Sequence, residues 1–176
     1  GDDNTIERLE ALTSAGPAQE ICPAAGPLAY LAALAYRLSR EEGEAMVHRL
    51  SMSSAWAQAV RDTVLLRERE EDLAAANLRG SQLADLVQEF CDEAVLSVSR
   101  LTSSPLVAQR LVDYLKELRF VAPDLNGRDL LAMGMPAGPE VGRVLRELRK
   151  AKLDGSVSSE ADERRLVQRI LTREKG

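Results

Sequence analysis

Apolar residues recur every three or four positions along most of this chain, and that spacing restricts the fold more than any other feature of its sequence. Val141, Val144, Leu145, Leu148 and Ala151 are the clearest case, because at about 100° per residue they fall on one side of a helix. The alternating pattern of a β-strand is absent. Ala, Leu, Arg and Glu dominate the composition, and they lose little side-chain freedom in a helix. The sequence therefore predicts an all-α fold, with a multi-helix body and a smaller helical tail.

A cluster of glycines and prolines marks the boundary between body and tail. After Pro123, six of these residues fall within the sixteen positions 127–142, and both residue types favour turns over helix interiors. We place the boundary near residues 122–126, with a helical body over residues 1–122 and a helical tail over residues 123–176. The six residues are Gly127, Gly134, Pro136, Gly138, Pro139 and Gly142.

Capping patterns locate several helix ends. Ser39 followed by Glu42 forms a capping box, and the helix behind it is expected to turn Leu50 inward. Trp56 is predicted to anchor the core from a long helix, which Gly80 is expected to end. We expect helices near residues 6–12, 28–36, 40–50, 54–77, 83–90, 93–101, 105–118, 128–133, 139–152 and 160–172.

Charge is distributed unevenly. The formal net charge of −5 and the pI near 5.1 argue against a basic surface covering the whole chain. Residues 126–152, however, carry six Arg or Lys and three Asp or Glu, a local net charge of +3. Any site for an anion such as a nucleic-acid phosphate must therefore be local, and the tail is the place to expect it.

One helix of the tail presents a basic stripe. Arg143, Arg146 and Lys150 fall within about 60° of one another, opposite the apolar side of that helix. The stripe is either ordinary solvated surface or a ridge that contacts RNA phosphates. Arg128 and Lys152 are candidates to extend it.

The start of the same helix is a second candidate for binding a phosphate. Gly138 precedes Pro139 at the first helical position, where the missing N–H of proline costs nothing. The free amides of that turn and the positive end of the helix dipole attract anions. Glu140 in the same turn competes with that role.

The residues offer no catalytic or metal centre. His48 is the only histidine, and Cys22 and Cys91 form no CxxC pair, so neither a His-dependent triad nor a zinc site is indicated. Adjacent carboxylates such as Glu41 and Glu42 point to different sides of a helix and cannot form an acid–base pair. We therefore expect no catalytic residue, bound metal or cofactor in this chain.

The lengths of the apolar runs and the first residues of the chain indicate where the protein is located. No apolar run reaches the roughly 18 residues that span a bilayer, and no signal peptide opens the chain. We expect a cytoplasmic protein with no membrane partner. Because the chain begins with Gly1, we also expect it to be an excised portion of a longer protein.

One long stretch of the tail resembles a known family. Within residues 125–145, the part from Gly127 to Leu145 follows the pattern G-x-D-L-x-x-x-G-x-x-x-G-P-x-x-G-x-x-L, and residues 153–155 read Leu-Asp-Gly. This is similar to the tail signature of the bacterial CCA-adding tRNA nucleotidyltransferase and poly(A) polymerase family. Residues 32–39 and 111–123 resemble the helical body of that family more weakly.

The resemblance implies a parent enzyme whose N-terminal head adds nucleotides to RNA 3′ ends with Mg²⁺ and ATP or CTP. Members of the family show Gly-Ser followed by an Asp-x-Asp pair, because two metal ions need convergent carboxylates. This chain has no Asp-x-Asp, and helical sequence follows its Gly80-Ser81 pair. The head is therefore expected outside this chain, and the chain alone is expected to be inactive.

Two functions stay open on the sequence. One is a C-terminal region that binds RNA, in particular tRNA, next to the missing head. The other is a protein-interaction or dimerisation module, which the acidic body and its Ala- and Leu-rich helices favour. An intact small enzyme is disfavoured by the missing carboxylate pairs and the single histidine.

Overall fold

The computed structural model describes residues 26–174 and confirms the all-α fold, since this part of the chain forms ten α-helices, one short 3₁₀ helix and no strand. The helix expected near residues 6–12 lies outside the described residues. No helix within residues 26–174 is both long and apolar enough to cross a bilayer. The helices are α1 Pro27–Ala35, α2 Arg40–Arg49, α3 Ser54–Glu68, α4 Glu70–Ala74, α5 Gly80–Val87, α6 Asp92–Leu101, α7 Pro105–Lys116, the 3₁₀ helix Leu118–Phe120, α8 Gly127–Ala132, α9 Pro139–Leu153 and α10 Glu160–Glu174.

The described residues divide into two compact units. The first comprises the residues up to Leu78 together with Leu83–Arg119, and the second comprises Arg79–Gln82 together with Phe120 and the residues after it. The short segment Arg79–Gln82 contacts residues far along the chain, so its place in the second unit cannot be read from the sequence pattern.

Alanine allows close helix packing in the first unit. Helix α1 lies against α3 and α6, and it buries Ala29, Leu31, Ala32 and Ala35. The capping box of α2 is confirmed, because Ser39 Oγ accepts from the Glu42 amide while the Glu42 carboxylate accepts from the Ser39 amide.

Four expectations for residues 40–80 are wrong. Trp56 is 40% exposed and Leu50 is 62% exposed, so neither anchors the core. The helix expected over residues 54–77 is interrupted at Arg69, whose φ of −91° and ψ of 7° depart from helical values. Gly80 begins α5 instead of ending the preceding element.

The break at Arg69 has a polar cause. Glu70 accepts hydrogen bonds from the Tyr36 hydroxyl at 2.7 Å and the Thr102 hydroxyl at 2.8 Å. The Arg67 guanidinium donates to the Tyr36 carbonyl at 2.7 Å. These partly buried hydrogen bonds stabilise the turn between α3 and α4.

Helices α8, α9 and α10 form the second unit around their own apolar cluster. Asn126 caps α8 by accepting from the Arg128 and Asp129 amides. Gly155, which follows the C-cap of α9, has a φ of +70°, the left-handed conformation that often ends a helix. The buried cluster consists of Leu125, Leu130, Met135, Val144, Leu148 and Val167.

Candidate nucleic-acid interface

Helix α9 begins where the sequence predicts. Gly138 is its N-cap with a φ of +149°, a conformation that favours glycine, and Pro139 occupies the first helical position. The Glu140 carboxylate is directed to Arg143, with 2.7 Å between Oε2 and Nε. An acidic side chain thus stands in the turn whose amides would attract an anion.

Two acidic residues pair with Arg143, the first cation of the basic stripe. Arg143 pairs with Glu140, and also with Glu147 at 2.9 Å on the following turn. These two carboxylates offset the positive charge of a guanidinium that is itself only 39% exposed. Arg143 therefore stabilises the helix surface through intrahelical pairs more than it offers charge to an external phosphate.

The rest of the stripe is more open. Arg146 and Lys150 are exposed on α9, and Arg128 is exposed on α8, which packs against α9. Among the described side chains, no carboxylate forms an ion pair with Arg128 or Arg146. These exposed cations are the part of the predicted site best suited to contact an anion.

Lys152 does not extend the stripe. It lies nine residues after Arg143, which places it on the opposite side of the helix. Its ammonium lies 2.8 Å from the Asp124 carboxylate and 3.5 Å from the Glu163 carboxylate. The hydrogen bond to Asp124 raises the pKa of Lys152 above its ordinary value. Lys152 therefore balances acidic groups inside this unit.

Of these acidic groups, Glu163 most needs a nearby positive charge, because it is fully buried. Its side chain has no solvent exposure, and its carboxylate accepts hydrogen bonds from the Asp124 amide at 3.0 Å and the Leu125 amide at 2.9 Å. Sequence reasoning missed this residue. Its spacing from Val167 was the available signal, because residues four apart share a helix face.

The Leu-Asp-Gly part of the signature has a structural role. The Asp154 carboxylate accepts from the Ser81 amide at 2.8 Å and from the Ser81 hydroxyl at 2.9 Å. A Cβ atom on Gly80 would lie 2.3 Å from the Leu153 carbonyl oxygen, so only glycine fits that approach. The Asp154 carboxylate thus caps the start of α5.

A second basic surface runs along α10, and the sequence reasoning did not single it out. Arg165, Arg169 and Arg173 line one side of an open groove of about 820 Å³. Their four-residue spacing was a readable signal, because it places side chains on one helix face. The other lining residues are Ser156, Val157, Asp162, Gln168 and Thr172.

Groups that could act as nucleophile or metal ligand are sparse in the described part. Within residues 26–174, no cluster of three His, Cys, Asp or Glu side chains could hold a metal ion. Burial raises the pKa of the Cys91 thiol to about 12, and its amide donates to Asp62 at 2.8 Å.

Comparison with known proteins finds similarity over part of the chain. No protein-family model matches the chain, and no solved structure matches it. An A-adding tRNA nucleotidyltransferase of Geobacter sulfurreducens is 27% identical to it over 94 residues. That alignment covers 53% of this chain but 11% of the relative, so the chain spans about a tenth of the length of the curated relative it matches. About half of this chain is thus similar to part of a tRNA nucleotidyltransferase.

Proposed function

We propose that this chain is a non-catalytic C-terminal RNA-binding region of a tRNA nucleotidyltransferase or poly(A) polymerase, an enzyme that adds nucleotides to RNA 3′ ends. The observation that carries the proposal is the similarity to an A-adding tRNA nucleotidyltransferase. The signature over residues 125–145 supports the same family. The partner is RNA, in particular tRNA, and the setting is the cytoplasm.

The exposed cations of the second unit support an RNA partner. Arg128, Arg146 and Lys150 stand on exposed surface in a stretch of net positive charge, although the whole chain is acidic. Phosphate contacts from Lys and Arg supply most of the sequence-independent affinity for nucleic acid. This basic surface is the part of the second unit at which we expect RNA phosphates to bind.

Catalysis belongs, in this proposal, to a head outside the chain, which would hold Mg²⁺ and ATP or CTP. The chain would hold the RNA while the head works at its 3′ end. Incubation of the chain with tRNA, Mg²⁺ and labelled ATP or CTP should therefore give no incorporation. Incorporation above a no-protein control would contradict the assignment.

Binding of labelled tRNA across a salt series tests the RNA-binding role. We expect affinity to fall steeply as salt rises, because phosphate contacts release counterions. The double variant Arg146→Gln/Lys150→Gln should lower the slope of log K against log salt by roughly 2, about one for each phosphate that is no longer neutralised. The control is Arg40→Gln/Arg61→Gln, which removes two cations that are paired with carboxylates in the first unit.

The alternative is a helical dimerisation module, and the exposed apolar residues of the first unit favour it. Tyr30, Leu34, Leu50 and Trp56 have exposed fractions from 37% to 62%. Such a surface should associate with little dependence on salt, because apolar burial involves no counterion release. Light scattering that shows a dimer in the natural chain and a monomer in Leu34→Gln, together with no RNA binding, would favour this alternative.

A further inference from the structure

A small pocket lies between α2 and α3 of the first unit. Its volume is about 220 Å³, and its lining combines apolar side chains with two arginines and one glutamate. We infer that this pocket binds the C-terminal residue of a partner polypeptide, with the apolar side chain of that residue inside and its carboxylate on the arginines. The inference goes beyond the proposed function, because it concerns the other unit and needs no RNA.

The apolar lining comes mainly from α3. Val60, Val64 and Leu65 supply it, and Gly43 of α2 lies opposite the two valines. Both valines are buried, so they form the base of the pocket and not its rim. Pockets that enclose a whole small molecule typically measure roughly 300–1,000 Å³, and this one is smaller. It therefore suits a single apolar side chain whose polypeptide stays outside.

Gly43 is the residue that keeps this space open. It stands inside α2, where glycine is less favourable than alanine. A Cβ atom at this position would lie 3.5 Å from Val60 and 3.6 Å from Val64, which is ordinary van der Waals contact, so packing alone does not require glycine. Departures from such a local preference are expected at functional positions. The missing Cβ leaves room for an apolar group next to the valines.

Two guanidinium groups at the exposed edge of the pocket can bind a carboxylate. The side chains of Arg40 and Arg61 are 67% and 43% exposed. Arg40 donates through Nε and Nη2 to Glu68, and Arg61 donates through the same two atoms to Glu44. Because a guanidinium has five N–H donors, each arginine keeps donors for another acceptor. A carboxylate matches such donors in both charge and geometry.

The carboxylate of Glu44 favours a polypeptide over a free organic acid. Glu44 lines the pocket together with the two arginines. Each of its oxygens accepts one hydrogen bond from Arg61, and an ionised carboxylate has about four acceptor sites. The amide N–H of a C-terminal residue can use one of the remaining sites. The pocket thus offers a partner for the side chain, the carboxylate and the amide of such a residue.

Titration of the full chain with short peptides, followed by NMR, tests this inference. The peptides are Gly-Ser-Gly-Leu with a free carboxylate, the same peptide with an amidated C-terminus, and Gly-Ser-Gly-Gly. We expect Gly-Ser-Gly-Leu to shift the methyl resonances of Val60 and Val64 with a Kd of about 1 mM, a weak affinity that suits one side chain and one carboxylate. Amidation and loss of the leucine side chain should each weaken binding about tenfold. The absence of saturable shifts up to about 10 mM would overturn the inference.

A variant of Gly43 tests the apolar part of the pocket. Gly43→Ala should fill the space beside the valines and weaken binding of Gly-Ser-Gly-Leu at least about tenfold, without lowering stability in urea. Gly142→Ala, which also lies within a helix and has room for its Cβ, is the matched control in the second unit. Unchanged affinity in Gly43→Ala would overturn the pocket as the binding site.

A double variant tests the arginines. Arg40→Gln/Arg61→Gln should remove the preference for the free carboxylate over the amide. Its control is Arg37→Gln/Arg49→Gln, which removes two exposed arginines of the same unit that do not line the pocket. A preference that survives the first double variant would overturn the role of the arginines.

A free acid distinguishes the two sources of a carboxylate. 4-Methylpentanoate carries a branched apolar chain and a carboxylate but no amide N–H, so it should bind more weakly than Gly-Ser-Gly-Leu. Equal binding would overturn a polypeptide as the partner. These probes contain no nucleic acid, so failure of this inference leaves the proposed RNA-binding role unaffected, and loss of tRNA binding leaves this pocket unaffected.

Discussion

Replacing Glu163 with alanine should destabilise the second unit severely. The Glu163 side chain is fully buried, and its carboxylate accepts two backbone N–H groups near 3 Å, from Asp124 and Leu125. Alanine would leave both donors without this acceptor and would remove an acidic neighbour of Lys152. A buried donor left unsatisfied costs its desolvation free energy, because water cannot easily replace the missing acceptor.

Two independent estimates of the destabilisation agree. Hydrogen bonds to charged groups contribute about 1.5–3 kcal/mol each, so two of them suggest about 3–6 kcal/mol. Removing one partner of a buried ion pair costs about 3–5 kcal/mol. The Lys152 side chain is 22% exposed, so water relieves part of the charge imbalance. We therefore expect a decrease of about 3–5 kcal/mol in the free energy of unfolding of this unit.

Amide hydrogen exchange and urea denaturation measure this effect. Protection of the Asp124 and Leu125 amides should fall in Glu163→Ala, whereas the buried Leu111 amide of the first unit should change little. Glu160→Ala is the matched control, because Glu160 lies on the same helix in an exposed ion pair with Arg164. Such surface pairs contribute at most about 1 kcal/mol. A destabilisation in Glu163→Ala no larger than that of Glu160→Ala would refute the reasoning.

Two further predictions concern Gly80 and Cys91. Gly80→Ala places a Cβ 2.3 Å from the Leu153 carbonyl oxygen and should cost about 1–3 kcal/mol in urea denaturation, as overpacking does. Gly43→Ala instead meets Val60 at 3.5 Å and should cost nothing or stabilise α2, so equal destabilisation in the two variants would contradict this account. In a Cys22→Ser background, folded Cys91 should react slowly with iodoacetamide at neutral pH, because burial raises its pKa to about 12 and keeps the thiol protonated. The rate should rise on unfolding in urea, and rapid alkylation of the folded protein would show that the thiol is not protected.

The helices and their ends could be predicted from the sequence because the interactions that form them join residues close together in the chain. Ser39 and Glu42 meet within one turn, and Gly138 directly precedes Pro139 at the start of α9. Each of these interactions joins residues at most a few positions apart. Their geometry follows from helical spacing alone, so the sequence predicts them.

The candidate sites were only partly readable. Spacing placed Arg143, Arg146 and Lys150 on one side of α9, but it did not show that two carboxylates hold Arg143. The expectation that Lys152 extends this stripe assigned it to the wrong side of the helix for contact with RNA. The arginines of α10 had a readable spacing, yet the groove they line depends on a loop that includes Ser156.

By itself, the sequence of this protein determined an all-α fold, most helix boundaries and the local concentration of positive charge. The tertiary structure alone decided which polar residues are buried and what they contact. Ser81 and Asp154 are 73 positions apart, and Glu163 reaches the Leu125 amide across 38 positions. Contacts over such distances depend on how helices pack against one another, and packing is set by the shapes of many side chains together. No periodicity within a single helix carries that information.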